Sequence, residues 1–228
     1  MRIEPLGDSA LLVRVTEEFH PEKSLDAVLR GAHALELAAI PGVIELAPAY
    51  TTIGVFLDPA RTGTFDELKA AIEHALKTSL EPARPRAGGE TVIEVPVCYE
   101  NEFAPDLREV AQHAGLSSDE VIRRYLDATY RVTCVGFTPG FPYLSGLPPE
   151  LATPRRATPR KEVAAGAVAI GGTQTGIYPR KSPGGWNIIG RTPLRLFDVE
   201  RASPALFHAG DQVRFRKISR DEFEQFSA

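Results

Sequence analysis

The sequence predicts an α+β protein, in which an N-terminal two-layer α/β sandwich of element order ββαββα precedes a C-terminal domain rich in short strands. Three observations support this prediction. The order strand, strand, helix occurs twice within the first 80 residues. Residues 81–90 are rich in proline, glycine and charge, as is typical of a linker. Beyond them, short apolar segments alternate with Gly/Pro turns, which favours a barrel or a sandwich. We therefore expect domains at 1–80 and 91–228.

The N-terminal elements follow from hydrophobic periodicity and from turn residues. Apolar residues recur at helical spacing between 21 and 40, and Pro41-Gly42 is typical of a helix end. Thr64 followed by Glu67 is a capping box, which marks the start of a second helix. The predicted elements are strands at 3–5 and 10–15, a helix at 21–40, strands at 43–47 and 51–57, and a helix from 64 to about 79. Both helices are expected on one face of the sheet.

The C-terminal elements are shorter. Ser117 with Glu120, and Ser219 with Glu222, have the spacing of helix N-caps. The predicted helices are at 105–113, 118–127 and from 219 through 226. The predicted strands are at 91–97, 129–137, 163–170, 174–178, 186–189, 194–197 and 212–218.

Composition limits the classes of function. The 228 residues are 43% hydrophobic and 25% charged, as in an average soluble globular protein. A net charge of −4 argues against general binding to nucleic acid or to a membrane surface. The N-terminus does not have the apolar run of a secretory signal, and no segment reaches the roughly 18 to 20 apolar residues of a membrane-spanning helix. Cys98 and Cys134 are isolated, so a reduced cytoplasmic protein is expected, with a disulfide as the alternative.

Residues 134–193 have an unusual composition, because they contain ten of the 19 glycines and nine of the 19 prolines. Glycine loses the most backbone entropy on folding and proline donates no hydrogen bond, so this density suits shaped surface loops better than a core. We expect the stretch to form the rim of a β-barrel pocket. The Walker A pattern and the GxGxxG fingerprint are absent, so an ATP site would have to be assembled otherwise, with another chain as one possibility.

The same stretch is strongly basic. Between Pro154 and Arg195, eight basic residues stand against Glu162 alone, which is an excess of seven positive charges in a chain of net −4. The basic residues are Arg155, Arg156, Arg160, Lys161, Arg180, Lys181, Arg191 and Arg195. Such an excess indicates a small anion, such as a carboxylate or phosphate, or an acidic partner protein. A solvated face balanced by acids from elsewhere in the fold is the remaining alternative.

Five aromatic residues bracket these loops and are expected to wall an apolar pocket. They are Phe137, Phe141, Tyr143, Tyr178 and Trp186. Aromatic residues in strand-rich segments are more often core, so at least two of the five are expected there. Nucleophilic catalysis by Ser182 or Cys134 is poorly supported, since no GxSxG elbow is present. No cluster has metal-ligand spacing, and no metal site is expected.

Several long motifs carry a family resemblance. They are GDSA at 7–10, GFTPGFPYL at 136–144, PRRATPR at 154–160, QTGIYP at 174–179 and PGGWNIIGRTP at 183–193. In this order they closely resemble the family of 5-oxoprolinase B subunits, also labelled allophanate hydrolase subunit 1 or KipI-like, whose unit is also a carboxyltransferase subdomain of urea carboxylases. The resemblance implies a cyclophilin-like β-barrel after the α/β domain.

The resemblance also implies a heteromeric enzyme. In this family the B subunit has the 5-oxoprolinase C subunit as its direct partner and the A subunit as a third component. The complex cleaves 5-oxo-L-proline to L-glutamate and hydrolyses ATP. Within the basic stretch we expect catalytic roles for Arg160, Arg191 and Gln174. Substrate binding is expected of Phe137, Pro139, Gly140, Phe141, Tyr143, Arg155, Tyr178, Pro183, Gly184, Gly185 and Trp186.

Two other functions of the family are alternatives: inhibition of a sporulation histidine kinase, and carboxyl transfer to urea or allophanate with a biotin-dependent chain. The sequence also departs from the family at two places. Tyr125 stands where the family commonly has His, which puts any proton-transfer role there in doubt. Ala164 and Ala167 replace the usual Pro and Ser around Gly166, which puts a polar role at that turn in doubt.

Overall fold

The structure, a computed structural model, describes residues 1–20, 22–78 and 92–226. By its internal contacts the chain divides into two compact units, Met1–Gly89 and Glu90–Ala228. Each unit has a hydrophobic core of its own. The expected linker at 81–90 and the predicted helix end at 79 lie outside the described residues. Among the described residues, no helix combines the length and the apolar composition that crossing a bilayer requires.

The N-terminal unit is a two-layer α/β sandwich, as predicted. Its elements are β1 (Arg2–Pro5), β2 (Ala10–Arg14), α1 (Lys23–Ala38), β3 (Val43–Ala49), β4 (Thr52–Leu57) and α2 (Phe65–Thr78). The strands form an antiparallel sheet of order β1-β2-β4-β3. Ile53 and Val55 alternate toward one sheet face, where they pack with Val28 of α1 and Ile72 of α2. Both helices therefore cover the same face, and the order ββαββα is confirmed.

The predicted capping box at the start of α2 is present. The Thr64 backbone N–H donates to Glu67 Oε2 at 2.8 Å, and the Glu67 N–H donates to Thr64 Oγ1 at 3.3 Å. Helix α1 ends two residues earlier than predicted, because Ala39 adopts a left-handed conformation with φ of 43°. This is the usual C-terminal geometry of a helix.

The C-terminal unit contains a closed seven-stranded barrel. Its elements are β5 (Val92–Cys98), α3 (Leu107–Ala114), α4 (Ser118–Asp127), β6 (Tyr130–Val135), β7 (Pro142–Ser145), a 3-10 turn (Pro149–Leu151), β8 (Arg160–Val163), β9 (Ala167–Gly171), β10 (Gln174–Ile177), β11 (Ser182–Gly184), β12 (Asn187–Arg191), β13 (Gln212–Ile218) and α5 (Arg220–Phe226). The strand order around the barrel is β10-β7-β6-β13-β5-β12-β9, with β5 and β13 parallel. The predicted barrel is confirmed.

The barrel interior is filled by alternate residues of its strands. Val168 and Ile170 of β9, for example, share one buried cluster with Leu144 of β7 and Phe215 of β13. Residues of α3 and α4 belong to the same cluster, so these helices complete the core. Tyr125 of α4 is fully buried there, and its hydroxyl lies 2.7 Å from Thr175 Oγ1. Tyr125 is therefore a packed, hydrogen-bonded phenol within the core.

Three predicted strands in this unit differ from the observed elements. The strand predicted at 163–170 is interrupted: Val163 is the last residue of β8, the chain turns at Gly166 with a φ of +79°, and β9 begins at Ala167. A Cβ at Gly166 would also collide with the Thr192 carbonyl. Residues 194–197 form no strand and contribute only an isolated bridge between Phe197 and Ala205. The strand predicted at 129–137 ends at Val135. Strands β7 and β11, and β8 except for Val163, were not predicted. β7 and β11 contain proline, which lowers strand propensity.

Candidate functional site

Nine of the eleven predicted substrate-binding residues line one cavity of about 300 Å³ in the C-terminal unit. The full lining is Phe137, Phe141, Tyr143, Arg155, Arg156, Pro159, Tyr178, Pro183, Gly184, Gly185 and Trp186. These residues come from four segments that are separated in the sequence, and the fold brings them together. Pro139 and Gly140 do not line the cavity; a Cβ at Gly140 would lie 2.7 Å from the Phe197 Cβ, so Gly140 serves local packing.

The cavity lies on the outer face of the barrel, which corrects the expectation of a barrel rim. Ala167 and Ala169 of β9 alternate with the interior residues Val168 and Ile170, and they join a separate cluster with Phe141, Tyr178 and Trp186. Successive side chains of a strand point to opposite faces of a sheet. The aromatic cluster is therefore packed against the outside of the barrel wall, beside the two-stranded sheet of β8 and β11.

The aromatic wall is organised around Phe141. Its ring lies 5.2 Å from Tyr178, 5.6 Å from Trp186 and 4.9 Å from Tyr143, measured between centroids, in edge-to-face or tilted arrangements. Such geometry is favoured by the quadrupoles of aromatic rings. Phe141, Tyr178 and Trp186 are almost completely buried, which confirms that part of the predicted set is core.

Phe137 is the exception within the wall, because the residue is 64% exposed. Its φ of +67° is rare for a residue with a bulky side chain and costs on the order of 1–3 kcal/mol. The turn is held by backbone hydrogen bonds from the Gly136 N–H to the Phe141 carbonyl and from the Phe141 N–H to the Thr138 carbonyl, both at 3.0 Å. An exposed aromatic ring is thus fixed at the cavity mouth, where it contacts the Phe141 and Tyr178 rings.

Arg155 supplies the cavity with a cation. Its guanidinium carbon lies 5.6 Å from the centroid of the Trp186 ring, a cation–π contact. Among the described residues, Arg155 forms no ion pair with a carboxylate. A guanidinium presents a fork of donors that matches a carboxylate. Arg155 can therefore bind an anion that enters the cavity.

Most of the neighbouring basic residues are instead paired with acidic residues. For these residues, the pairing supports the alternative of a surface whose charge is balanced by acids from elsewhere in the fold. Asp106 accepts hydrogen bonds from Arg156 Nη1 at 2.8 Å and from both terminal nitrogens of Arg160 at 2.8 and 2.7 Å. Lys181 pairs with Glu162, and Arg195 pairs with Asp198. The excess of seven charges in the sequence therefore exaggerates the charge that a ligand would meet.

The three residues predicted to be catalytic do not line the cavity. Arg160 is held by Asp106, as described above. Arg191 donates from Nε to the Ala165 carbonyl at 2.8 Å, and its guanidinium lies over Phe103 and Phe223. Gln174 lies at the start of β10, opposite Gly171. Their catalytic roles stay a prediction.

The tyrosines of the wall remain protonated at neutral pH. Burial raises the pKa of Tyr178, although a hydrogen bond from the Trp186 backbone and the charges of Arg155 and Arg160 act in the opposite direction. Burial also raises the pKa of Tyr143. A phenol with a raised pKa donates hydrogen bonds but is a poor general base. Within the described part of the chain, no three potential ligands cluster as a metal site.

Sequence reasoning missed three residues of this region. Arg156 and Pro159 line the cavity, and both lie within the motif at 154–160 that carries the family resemblance. Asp106 had no signal, because an aspartate just before a helix is usually an N-cap. A larger cavity, of about 760 Å³, is lined by other residues, including Tyr99, Arg108 and Lys217, and contains none of the predicted site residues.

Comparison with known proteins places these features in a family. The family model for the carboxyltransferase domain, subdomain C and D, matches residues 1–207. The 5-oxoprolinase B subunit of Bacillus subtilis (strain 168) is 39% identical over 235 residues, with 99% of this chain and 96% of that protein covered. The protein of the same name from Escherichia coli O157:H7 is 44% identical over 182 residues, with 80% and 81% covered.

Solved structures show the same fold. The structure of TTHA0988 matches 92% of this chain with a TM-score of 0.78 and 37% identity, and this chain spans 40% of its length. PH0987 from Pyrococcus horikoshii is 41% identical over 97% of this chain and 100% of its own, with a TM-score of 0.58. The urea carboxylase of Kluyveromyces lactis, at 21% identity and a TM-score of 0.73, shares the fold. This chain therefore belongs to the family of the carboxyltransferase domain, subdomains C and D, which includes the B subunits of 5-oxoprolinases.

Proposed function

We propose that this chain is the B subunit of an ATP-dependent 5-oxoprolinase, a complex that cleaves 5-oxo-L-proline to L-glutamate as ATP is hydrolysed. The observation that supports this function best is the cavity of about 300 Å³, which has aromatic walls and a single unpaired arginine, Arg155, among its described lining residues. 5-Oxoproline is a small ring with one carboxylate, and it matches both features. The names of three relatives at 38 to 44% identity agree with this assignment.

In this proposal the substrate carboxylate pairs with the Arg155 guanidinium, and the apolar ring lies against Trp186 and Tyr143. Phe137 covers the mouth and limits the access of water to the bound ring. Tyr178 offers a hydroxyl donor, since burial raises its pKa and keeps it protonated. These residues bind and orient the lactam; a nucleophile is not among the roles that we assign to them.

The chemistry explains why ATP is required. The five-membered lactam is an unstrained amide and resists hydrolysis, so phosphorylation of its oxygen would create a leaving group. Phosphoryl transfer relies on Lys or Arg together with converging backbone N–H groups and a metal ion around the phosphates. Among the described lining residues of the cavity, one arginine has no carboxylate partner, and this single cation does not match a triphosphate. We therefore assign ATP to a site that another chain of the complex provides or completes.

In this assembly, the chain binds the 5-oxoprolinase C subunit directly, and the A subunit is the third component. The protein works in the cytoplasm in this proposal, because Cys98 and Cys134 are both buried thiols, as expected in a reducing compartment. The relation to urea carboxylases is weaker, at 28% identity over 158 residues. The proposal therefore does not include urea as a substrate.

Reconstitution tests the proposal directly. The purified chain, combined with the A and C subunits, is expected to hydrolyse ATP when 5-oxoproline is added, with formation of glutamate, and not when urea is added. In the Arg155→Gln variant the KM for 5-oxoproline is expected to rise about 10- to 100-fold, since a hydrogen bond to a charged group contributes about 1.5–3 kcal/mol.

Arg180→Gln is the matched control, because Arg180 belongs to the same basic stretch and does not line the cavity. It is expected to keep the wild-type KM. No stimulation by 5-oxoproline in the full complex would rule out the proposed function. An equal rise of KM in both variants would rule out the specific role of Arg155.

A further inference from the structure

Asp106 is a buried carboxylate for which the proposed function has no role so far. Only 2% of its side chain is exposed, yet it accepts four hydrogen bonds. Three come from Arg156 and Arg160, and the fourth comes from the Ile188 backbone N–H at 2.7 Å. A buried charge is tolerated only when it is paired and hydrogen-bonded, and this one is fully satisfied.

The position of Asp106 links three parts of the site. It precedes α3, but its side chain makes no capping hydrogen bond to that helix. Its backbone N–H donates to the Ile188 carbonyl at 3.0 Å, so Asp106 is tied to β12 by both its backbone and its side chain. Its carboxylate also accepts from Arg156 Nη1 at 2.8 Å, and the Arg156 backbone N–H in turn donates to the Gly185 carbonyl at 2.8 Å.

The ion pairs of Asp106 determine how much positive charge the cavity presents. Arg156 lines the cavity and pairs with Asp106 and with Glu109, and Arg160 pairs with Asp106. The positive charges of Arg156 and Arg160 are thus balanced by the carboxylates of Asp106 and Glu109. Arg155 remains as the unpaired cation among the described lining residues.

We infer that Asp106 is a positioning and specificity residue: by neutralising Arg156 and Arg160, it leaves Arg155 alone to bind the ligand and makes the cavity select singly charged anions over multiply charged ones. Without the Asp106 carboxylate, Arg156 in the cavity lining would keep only the exposed Glu109 as a partner, and Arg160 would lose its ion pair. The added positive charge would attract phosphates and dicarboxylates. The inference rests on the cavity being the ligand site of the proposed function.

The single tryptophan of the chain, Trp186, allows a test on the full chain without partners, because it forms part of the cavity wall. Its fluorescence is titrated with 5-oxoproline and acetate as monoanions and with inorganic pyrophosphate as a polyanion, at constant ionic strength. The wild-type chain is expected to bind the monoanions at least tenfold more tightly than pyrophosphate. In Asp106→Asn, which keeps the size but removes the charge, this preference is expected to shift at least tenfold toward pyrophosphate.

Two further variants make the test decisive. Glu109→Gln removes an exposed partner of Arg156 and is expected to shift the preference a few-fold in the same direction. Glu120→Gln is the matched control, since Glu120 also binds two arginines, Arg123 and Arg124, but none of the three lines the cavity. It is expected to keep the wild-type preference.

An unchanged preference in Asp106→Asn would overturn the inference, as would an equal shift in Glu120→Gln or a wild-type chain that binds no monoanion. If Asp106→Asn does not fold, as judged by circular dichroism, an unchanged preference in Glu109→Gln overturns the inference by itself. The proposed function can be refuted independently of this inference. A chain with the expected anion preference, in a complex without 5-oxoproline-dependent ATP hydrolysis, would leave the role of Asp106 intact.

Discussion

At Gly171, a Cβ atom would lie 2.5 Å from the Trp186 ring, closer than real contacts allow. At Gly184 the corresponding atom would collide with the Tyr178 hydroxyl, and at Gly176 it would lie 2.9 Å from the Phe141 ring. These glycines therefore provide space for aromatic rings rather than backbone donors for phosphate. The aromatic wall therefore explains why glycine is required at these three positions.

This explanation predicts the cost of a single methyl group. Gly171→Ala is expected to lower the free energy of unfolding by about 1–3 kcal/mol, because Trp186 must move out of a packed position. Urea unfolding followed by Trp186 fluorescence measures it. In the control, Gly136→Ala, nothing lies within 4 Å of the added atom, and a change of less than about 0.5 kcal/mol is expected. Equal stability of the two variants would contradict the close-packing account.

Helix α4 shows how one element combines local and long-range interactions. Ser117 caps it, since its side chain accepts from the Glu120 N–H at 3.2 Å, as the sequence predicted. On the surface of the helix, Glu120 accepts hydrogen bonds from Arg123 Nε at 2.9 Å and from Arg124 Nε at 2.7 Å. These bonds lower the pKa of the Glu120 carboxyl to about 2 from its usual 4.5.

A pH dependence follows from this shift. Because the pKa is lower in the folded state, the contribution of Glu120 to stability is present above about pH 4.5 and is lost as the pH falls toward about 2. The Glu120→Gln variant is therefore expected to have a flatter dependence of unfolding midpoint on pH in this window. Glu200→Gln, which removes an exposed carboxylate, is the control and should follow the wild-type curve. Parallel curves for Glu120→Gln and wild type would contradict the prediction.

At the scale of the whole molecule, the two units have unequal cores. Counted over the described residues, the main cluster of the unit Glu90–Ala228 contains 23 buried residues, whereas the cluster of the unit Met1–Gly89 contains 12. Smaller domains bury a smaller fraction of their surface and are correspondingly less stable. The N-terminal unit is therefore expected to be the weaker of the two.

Unfolding in urea can separate the two units, because Trp186 reports only on the C-terminal one. Far-ultraviolet circular dichroism, which reports on both, is expected to begin its transition at a lower urea concentration than Trp186 fluorescence. As a control, a chain truncated to residues 92–228 should give coincident transitions by both methods. Coincident transitions in the full chain would show that the units unfold together.

Much of the fold could be predicted because its signals are local. The capping box of Thr64 and Glu67, the cap at Ser117 and the periodicity of α1 each involve residues within a few positions of one another, and all were confirmed. Strands β7 and β11 were missed, since their short proline-containing segments have low intrinsic propensity and depend on partner strands.

The candidate site, like the fold, could be predicted from the sequence only in part. The sequence by itself determined the fold class and nine of the residues that line the cavity, because composition and motifs identify residue types without reference to their neighbours. Only the tertiary structure decided that the cavity lies outside the barrel. It also decided that, among the described residues, Arg155 pairs with no carboxylate whereas Arg156 and Arg160 pair with Asp106. Asp106 is 50 and 54 positions away from these two arginines, and ion pairing depends on distance in space rather than along the chain.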